Sequence, residues 1–440
     1  MPGAHANQSD SADVAVIGAG AAGLMASRRL AEAGCSVLLL EANDRVGGRI
    51  LTLNDPVELG AEFVHGRPQV TLTLLHEAGS EVVEYEAEHW IFEDGRIEPM
   101  NDVVDLHRLV QRAARVQADT SLAEFLADVV HQDPRLGPAA QWLRRVAEDY
   151  DAADPQRISL KAIVDEWTGD TSVESAVSRP QGGYATLINH LVRTLDPGRV
   201  RLELGTTVRT IRWSHGDAEL EVEQQGTTRR RRARAVVVTL PLGVLQSEPG
   251  DAAAVQFDPP LTHKRAALSG LAMGPALKVL LRFTEPFWES LDEGRLLKAG
   301  FFHTAGLPFR TIWTPFPDHG PWLTAWVGGS RAAALSTAAD DVIISRAAES
   351  VERLFHGRIH VAPLLQEARF HNWQRDDRSR GAYSYVTVGG TPARRKLAEP
   401  LESMLFFAGE ATDDTGEAST VAGALLSGER AAQEVLSTAG

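Results

Sequence analysis

Short, uninterrupted apolar runs alternate with amphipathic stretches along this chain. Asp13 to Ile17 (DVAVI) reads as a strand buried on both faces. Leu24 to Ala33 follows with helical spacing, and Gly34 sits where a helix C-cap prefers glycine. Ser36 to Leu40 (SVLLL) is a second buried strand. Arg67-Pro68 opens a helix running to His76. From Val82 to Pro99 the pattern alternates about an Asp94-Gly95 turn, which predicts a hairpin. Asn101 to Val177 is rich in Ala, Leu, Arg and Glu at helical spacing and predicts a helical subdomain. Thr207 to Ile211 and Leu220 to Glu223 read as paired strands. The four arginines Arg229 to Arg232 read as a solvated hairpin edge leading into a buried strand, Ala235 to Leu240. Met273 to Trp288 starts a second sheet, continued by Phe301-Phe302, Arg310 to Trp313 and Leu323 to Val327, and Asp340 to Leu354 is helical. No internal repeat or low-complexity tract interrupts the pattern.

A chain of 440 residues exceeds what one core usually serves, so two domains are expected. Lys plus Arg number 44 against 59 Asp plus Glu, a net charge of -15, which argues against nucleic acid as a partner and suits a cationic substrate. Cys35 is the sole cysteine, so intramolecular disulfides and Cys-based zinc sites are excluded, and no metal is expected. Met1 to Asp10 is polar without a signal-peptide pattern, and no apolar run approaches a membrane span. The expectation is a cytoplasmic protein whose oligomeric state the sequence leaves open.

Gly18-Ala19-Gly20-Ala21-Ala22-Gly23 follows the first strand and opens the first helix, matching G-x-G-x-x-G. Gly18 permits the tight turn, Gly20 lets backbone approach a pyrophosphate, and Gly23 lets helix and strand pack closely. The helix N-terminus offers oriented N–H groups to phosphate. Glu41 ends the second strand, eighteen residues beyond Gly23, where it can accept hydrogen bonds from ribose hydroxyls. A glycine-rich turn chosen only for packing does not explain an acid at that strand end. The unit is a Rossmann-type dinucleotide site. NAD and FAD share this opening, and the next segment separates them. Two adjacent glycines between arginines, Arg45-Val46-Gly47-Gly48-Arg49, suit a second backbone pass over the pyrophosphate, with Arg49 as a phosphate or flavin contact.

That segment resembles the second signature of the flavin amine oxidase superfamily, and the resemblance runs from Asp13 to Val435. It implies FAD, with Ala22, Ala42, Arg45, Gly48 and Arg49 around the cofactor. Glu58 to Gly66 (ELGAEFVHG) is similar to the strand and turn passing the isoalloxazine, implying contacts from Gly60, Ala61, Glu62 and Phe63, and His65 on the substrate channel. Gln181-Gly182-Gly183-Tyr184 resembles the family's glycine turn, and the position of Val208 lends its backbone to the adenine. Lys278 lies in the x-K-x-x-x-x-F context, with Phe283 downstream, of a lysine bonded through water to flavin N5. Trp373 and, ten residues on, Tyr383 match the family's ring-side tryptophan and substrate-facing tyrosine. Leu405 to Thr412 resembles the C-terminal F-F-A-G-E motif, implying contacts from Gly409 and a ribityl or phosphate-side contact from Glu410. The helix beyond it would present amides near Thr420 and Val421 to the flavin. Thr420 would also face substrate. Ala382 stands where monoamine oxidases carry their flavin-linking cysteine, implying non-covalent FAD. Ser419-Thr420 replaces the second tyrosine of monoamine oxidases, which puts a small monoamine substrate in question.

The implied fold is α/β, discontinuous in sequence. A Rossmann-type FAD-binding domain takes 11–80, 195–265 and 370–440. An α+β substrate domain with a mixed sheet takes 81–194 and 266–369, its helical part near 101–177, and residues 1–10 form a tail. The implied activity is FAD-dependent oxidation of a primary or secondary amine, polyamine-like by preference, to an imine by hydride transfer to N5, with O2 reoxidation to H2O2. Two alternatives stand beside it. One is an L-amino-acid oxidase or other flavin oxidoreductase of the superfamily, in which Arg310 or Arg67 would grip a carboxylate. The other is an FAD-bearing binding or scaffold protein without turnover. Glu417, Asp413 and Asp414 read as a solvated loop.

Overall fold

The computed structural model describes residues 10–54, 57–84, 86–100, 105–168 and 177–438. The expected tail, apart from Asp10, and residues 101–104 and 169–176 of the expected helical region lie outside them. The apolar runs Ser11–Ile17 and Val37–Leu40 form adjacent parallel strands whose last four residues are buried in each case. They sit inside an eight-stranded sheet, with Thr227–Val238 and Leu405–Phe407 parallel on one side and Val200–Glu203 parallel on the other. Burial on both faces explains why these strands read as unbroken Val, Leu and Phe. The first helix, Ala21–Glu32, packs against the C-terminal helix, Val421–Thr438. Their crossing is close: a Cβ on Gly428 would lie 2.2 Å from the Ala22 carbonyl oxygen.

The four-arginine run sits on the hairpin that Thr227–Val238 makes with Asp217–Gln224, and the strand Ser11–Ile17 pairs with it only from Arg232 onward. Arg229, Arg230 and Arg232 are exposed, as a solvated hairpin requires. Arg231 is buried and paired with Glu203 and Asp10 at 3.2 and 3.1 Å.

The second sheet is mixed and seven-stranded, in the order Leu365–Phe370, Ala276–Phe283, Trp322–Gly328, Thr311–Trp313, Ala299–Thr304, Glu88–Glu93, Arg96–Pro99. The hairpin about Asp94-Gly95 belongs to it, but Val82–Glu84 does not: that strand pairs with Val177–Pro180 in a separate three-stranded sheet. Met273 to Trp288 is likewise divided. Leu271–Gly274 pairs with Tyr383–Val386, and after Pro275 the strand Ala276–Phe283 joins the seven-stranded sheet. Leu106–Ala113, Leu122–Gln132, Gly137–Asp149 and Leu160–Thr168 are helices around their own apolar core. Ser121 and Glu124 form a capping box at the second of them.

Candidate active site

A cavity of about 1660 Å³ runs from the Rossmann-type sheet past the seven-stranded sheet to the helical region. Every residue singled out above for the cofactor, catalysis or substrate lines it, except Gly23 and Arg67. Gly23 serves packing: a Cβ there would lie 1.8 Å from the Gly18 carbonyl oxygen.

At the nucleotide-type end, Gly20 caps the first helix without a side-chain hydrogen bond, and no acid stands in the first turn. The first N–H groups of that helix therefore need an anionic partner. Gly20 and Gly48 face each other there. Glu41 is buried and braces the turn, accepting the Ala19 N–H at 2.7 Å and the Asn43 N–H at 2.8 Å. Arg45 spends its guanidinium on the Val46, Ile50 and Gly48 carbonyls, which shapes the glycine turn. Arg49 donates to the Ala382 carbonyl and to Glu410 Oε1, each at 2.8 Å. The other Glu410 oxygen accepts the Ser384 hydroxyl at 2.6 Å, which fixes the carboxylate on the cavity wall. Thr420 is fixed too. Its hydroxyl accepts the Gly423 N–H and donates to the Glu417 carbonyl, capping the C-terminal helix.

Deeper in, Lys278 is only 3% exposed, and its Nζ donates to Glu62 Oε2 at 2.6 Å and to the Gly60 carbonyl at 3.1 Å. Glu62 also accepts from Arg179 Nε at 2.8 Å and from the Trp313 indole. Burial opposes the charge on Glu62, but Lys278 and Arg179 outweigh it and hold the carboxyl below its usual range. Trp373 is fixed by an indole hydrogen bond to the Leu59 carbonyl at 3.0 Å. Tyr383 donates to the Tyr150 carbonyl, and the Tyr150 hydroxyl meets His65 Nδ1 at 2.9 Å. Burial lowers the His65 pKa to about 4, so the ring is neutral at pH 7.

Sequence reasoning missed Arg179, Tyr150, Asp151 and Glu166. Asp151 and Glu166 line the cavity, and burial pushes both pKa values up, with Glu166 adding to the shift of Asp151. Asp151 accepts from Trp167 on one oxygen while the other has no partner among the described residues. Arg179 lies close to the Gly182-Gly183 turn, the only nearby signal. The other three sit in the helical region, where no motif marks them. Among the described residues no group of His, Cys, Asp and Glu could hold a metal ion.

A family model described as flavin containing amine oxidoreductase matches residues 21–436. Probable polyamine oxidase 4 of Arabidopsis thaliana is 28% identical, over 96% of this chain and 86% of that one. Lysine-specific histone demethylase 2 of Homo sapiens is also 28% identical, over 96% of this chain and 53% of that one. Among solved structures, a putrescine oxidase bound to putrescine superposes with a TM-score of 0.78 at 20% identity, over 97% of this chain and 99% of the other. A cyclohexylamine oxidase from Brevibacterium oxydans gives the same TM-score and coverage at 19% identity.

Proposed function

The chain belongs to the flavin containing amine oxidoreductase family, and from that premise we propose that it is an FAD-dependent oxidase of a primary or secondary amine that holds its flavin non-covalently. The observation that carries this reading is Lys278: a buried ammonium, fixed by Glu62, in the same cavity as Trp373, Tyr383 and the N-terminus of the C-terminal helix. The residues fit FAD. The open first turn of Ala21–Glu32 suits a pyrophosphate, and Glu41 stands at the strand end for a ribose. Bound flavin would supply the hydride acceptor at N5 and return electrons to O2, yielding H2O2. Non-covalent attachment is supported by Ala382 on the cavity wall and by Cys35 packing against the core of the first sheet.

The chain's own residues bind and orient the amine. Tyr383 and Trp373 supply aromatic walls, one tied to the Tyr150 carbonyl and the other to Leu59. Neutral His65 presents a ring that does not repel an ammonium. The oxidised amine must shed its proton first, so turnover rises with pH. A polyamine-like amine has the support of the relatives' names. Each candidate arginine of the L-amino-acid reading already has a carboxylate partner within the protein. Arg310 is committed to Glu148 at 2.7 Å, and Arg67 is exposed and paired with Glu84. A cytoplasmic setting remains part of the proposal, and no helix among the described residues is long and apolar enough to cross a membrane.

The test is anaerobic bleaching of the FAD-loaded protein by polyamines, monoamines and amino acids. Rapid loss of the oxidised-flavin band with one amine class supports the proposal. Full FAD occupancy without bleaching by any of them overturns it in favour of a binding role.

A further inference from the structure

The cavity extends beyond Tyr383 and Tyr150 along the helix Gly137–Asp149. Trp142, Arg145, Val146 and Asp149 line it, spaced three and four residues apart on one helical face. Arg145 is half-buried there. Among the described residues its guanidinium makes no hydrogen bond and no ion pair, and it lies 6.0 Å from the centre of the Trp142 ring. Burial and the neighbouring Arg310 both work against its charge. Glu93 and Asp149 favour that charge only from beyond ion-pair range. Asp149 itself is turned to Arg310, at 3.5 Å, and to the Gly328 N–H. Other cavity arginines already face a partner: Arg49 meets Glu410, Arg310 meets Glu148 through one nitrogen while its Nε has no partner among the described residues, and Arg45 meets backbone carbonyls. Beside Arg145 stands His303, hydrogen-bonded to His89 at 2.9 Å and kept neutral by burial, by His89 and by Arg145. This end of the cavity offers an unspent cation flanked by neutral imidazoles.

A guanidinium half withdrawn from water without a carboxylate partner is open to one, and a carboxylate meets its planar fork with two hydrogen bonds. We propose that Arg145 is the receptor for a carboxylate on the substrate, so that the oxidised amine carries an anionic group at its far end. This rests on the amine-oxidase reading and departs from its polyamine-like preference. Arg145 and Tyr150, whose carbonyl anchors Tyr383, are five positions apart at the end of the helix, an axial rise of about 7.5 Å between their backbones. An α-amino acid bears both groups on one carbon and spans less than that. An ω-amino carboxylate with several methylenes between its ends can span it. A second ammonium in the same position, as on a diamine, would meet Arg145 with like charge.

The experiment uses the FAD-loaded protein under anaerobic conditions, with hexanoate, hexylamine and 6-aminohexanoate as probes. Binding is read from perturbation of the flavin band and from quenching of the cavity tryptophans. Hexanoate is expected to bind the wild type and to lose at least tenfold in affinity in Arg145→Gln, with Arg145→Lys falling between. FAD retention verifies that each variant is folded, and the wild-type titration stands without them. Absence of hexanoate binding to the wild type, or equal affinity in Arg145→Gln, overturns the proposal. Bleaching by hexylamine without any hexanoate binding sinks the carboxylate site and leaves the oxidase reading intact. Hexanoate binding that depends on Arg145, without bleaching by any amine, supports the site and sinks the oxidase reading.

Discussion

Lys278 Nζ and Glu62 Oε2 lie 2.6 Å apart, both almost wholly withdrawn from solvent, with Arg179 on the far oxygen of the same carboxylate. One anion therefore neighbours both cations. Replacing it removes the carboxylate that Lys278 and Arg179 share. Glu62→Gln is expected to destabilise the protein by about 3 kcal/mol, the scale for stripping one partner from a buried ion pair. Urea denaturation reads this directly. A change within error would mean that water already screens the pair.

Lys278→Met removes the ammonium while keeping most of the side-chain volume, so the fold and the FAD content are expected to persist. Flavin reoxidation should slow by at least tenfold, since a buried cation near the flavin stabilises negative charge developing during that step. Stopped-flow mixing of the reduced protein with O2 measures it. An unchanged rate would leave Lys278 with a purely structural part.

How much of this was legible in the chain differs by region. The strand, glycine turn, helix and acid from Asp13 to Glu41 are local features, and each has a local physical reason, so they survive intact in the fold. Lys278 carried no decisive local signal: alternation placed it on a strand, and only the resemblance marked it as more than a lysine reaching for water. Arg231 shows the converse. Four consecutive arginines read as a solvated hairpin edge, and three of them are exposed, yet Glu203 and Asp10 neutralise the one that turns inward. Tyr150, Asp151, Glu166 and Arg145 acquire meaning only because helices from a motif-free region are laid against the cavity. Helical periodicity reports which face is buried, not that the face looks into a chamber.

Tyr383 and Tyr150 offer a test at the substrate end. Tyr383→Phe deletes the hydroxyl that satisfies the Tyr150 carbonyl and leaves a buried acceptor unpaired, at a cost of roughly 1–2 kcal/mol. A displaced aromatic wall should lower kcat/KM about tenfold with little effect on FAD content. Steady-state kinetics on the amine identified by flavin bleaching decides it. A loss of FAD instead would show that Tyr383 supports the cofactor rather than the substrate.

Glu58 predicts a pH dependence of stability. Burial raises its pKa from 4.5 to about 7, against hydrogen bonds from Tyr184 and Thr52 and the charge of Lys278. Between those two values the folded state holds a proton that the unfolded chain has released, so stability falls as pH rises through the window. The contribution is on the order of 3 kcal/mol, at full strength below pH 4.5 and gone above about 7. Glu58→Gln should flatten this part of the profile. Urea midpoints at pH 5 and pH 8, compared between the two proteins, give the answer. Parallel profiles would mean that Glu58 is charged throughout.

Gly20 separates the needs of the fold from those of the cofactor. Its φ of -77° is open to any residue, and an added Cβ would come no closer than 3.9 Å to protein atoms, which is ordinary contact. Gly20→Ala should therefore fold with an unchanged thermal midpoint as apoprotein. The same methyl would project toward the cavity at the uncapped helix end, where the pyrophosphate is assigned. FAD affinity is expected to fall at least tenfold, read from the flavin-to-protein absorbance ratio after dialysis and from titration of apoprotein with FAD. Gly23→Ala is the control for the opposite case, because its Cβ meets the Gly18 carbonyl at 1.8 Å and must disturb the helix itself. Full FAD retention in Gly20→Ala would move the pyrophosphate away from this turn. Loss of FAD with an intact midpoint would tie the open helix end to the cofactor by an effect that packing alone cannot produce.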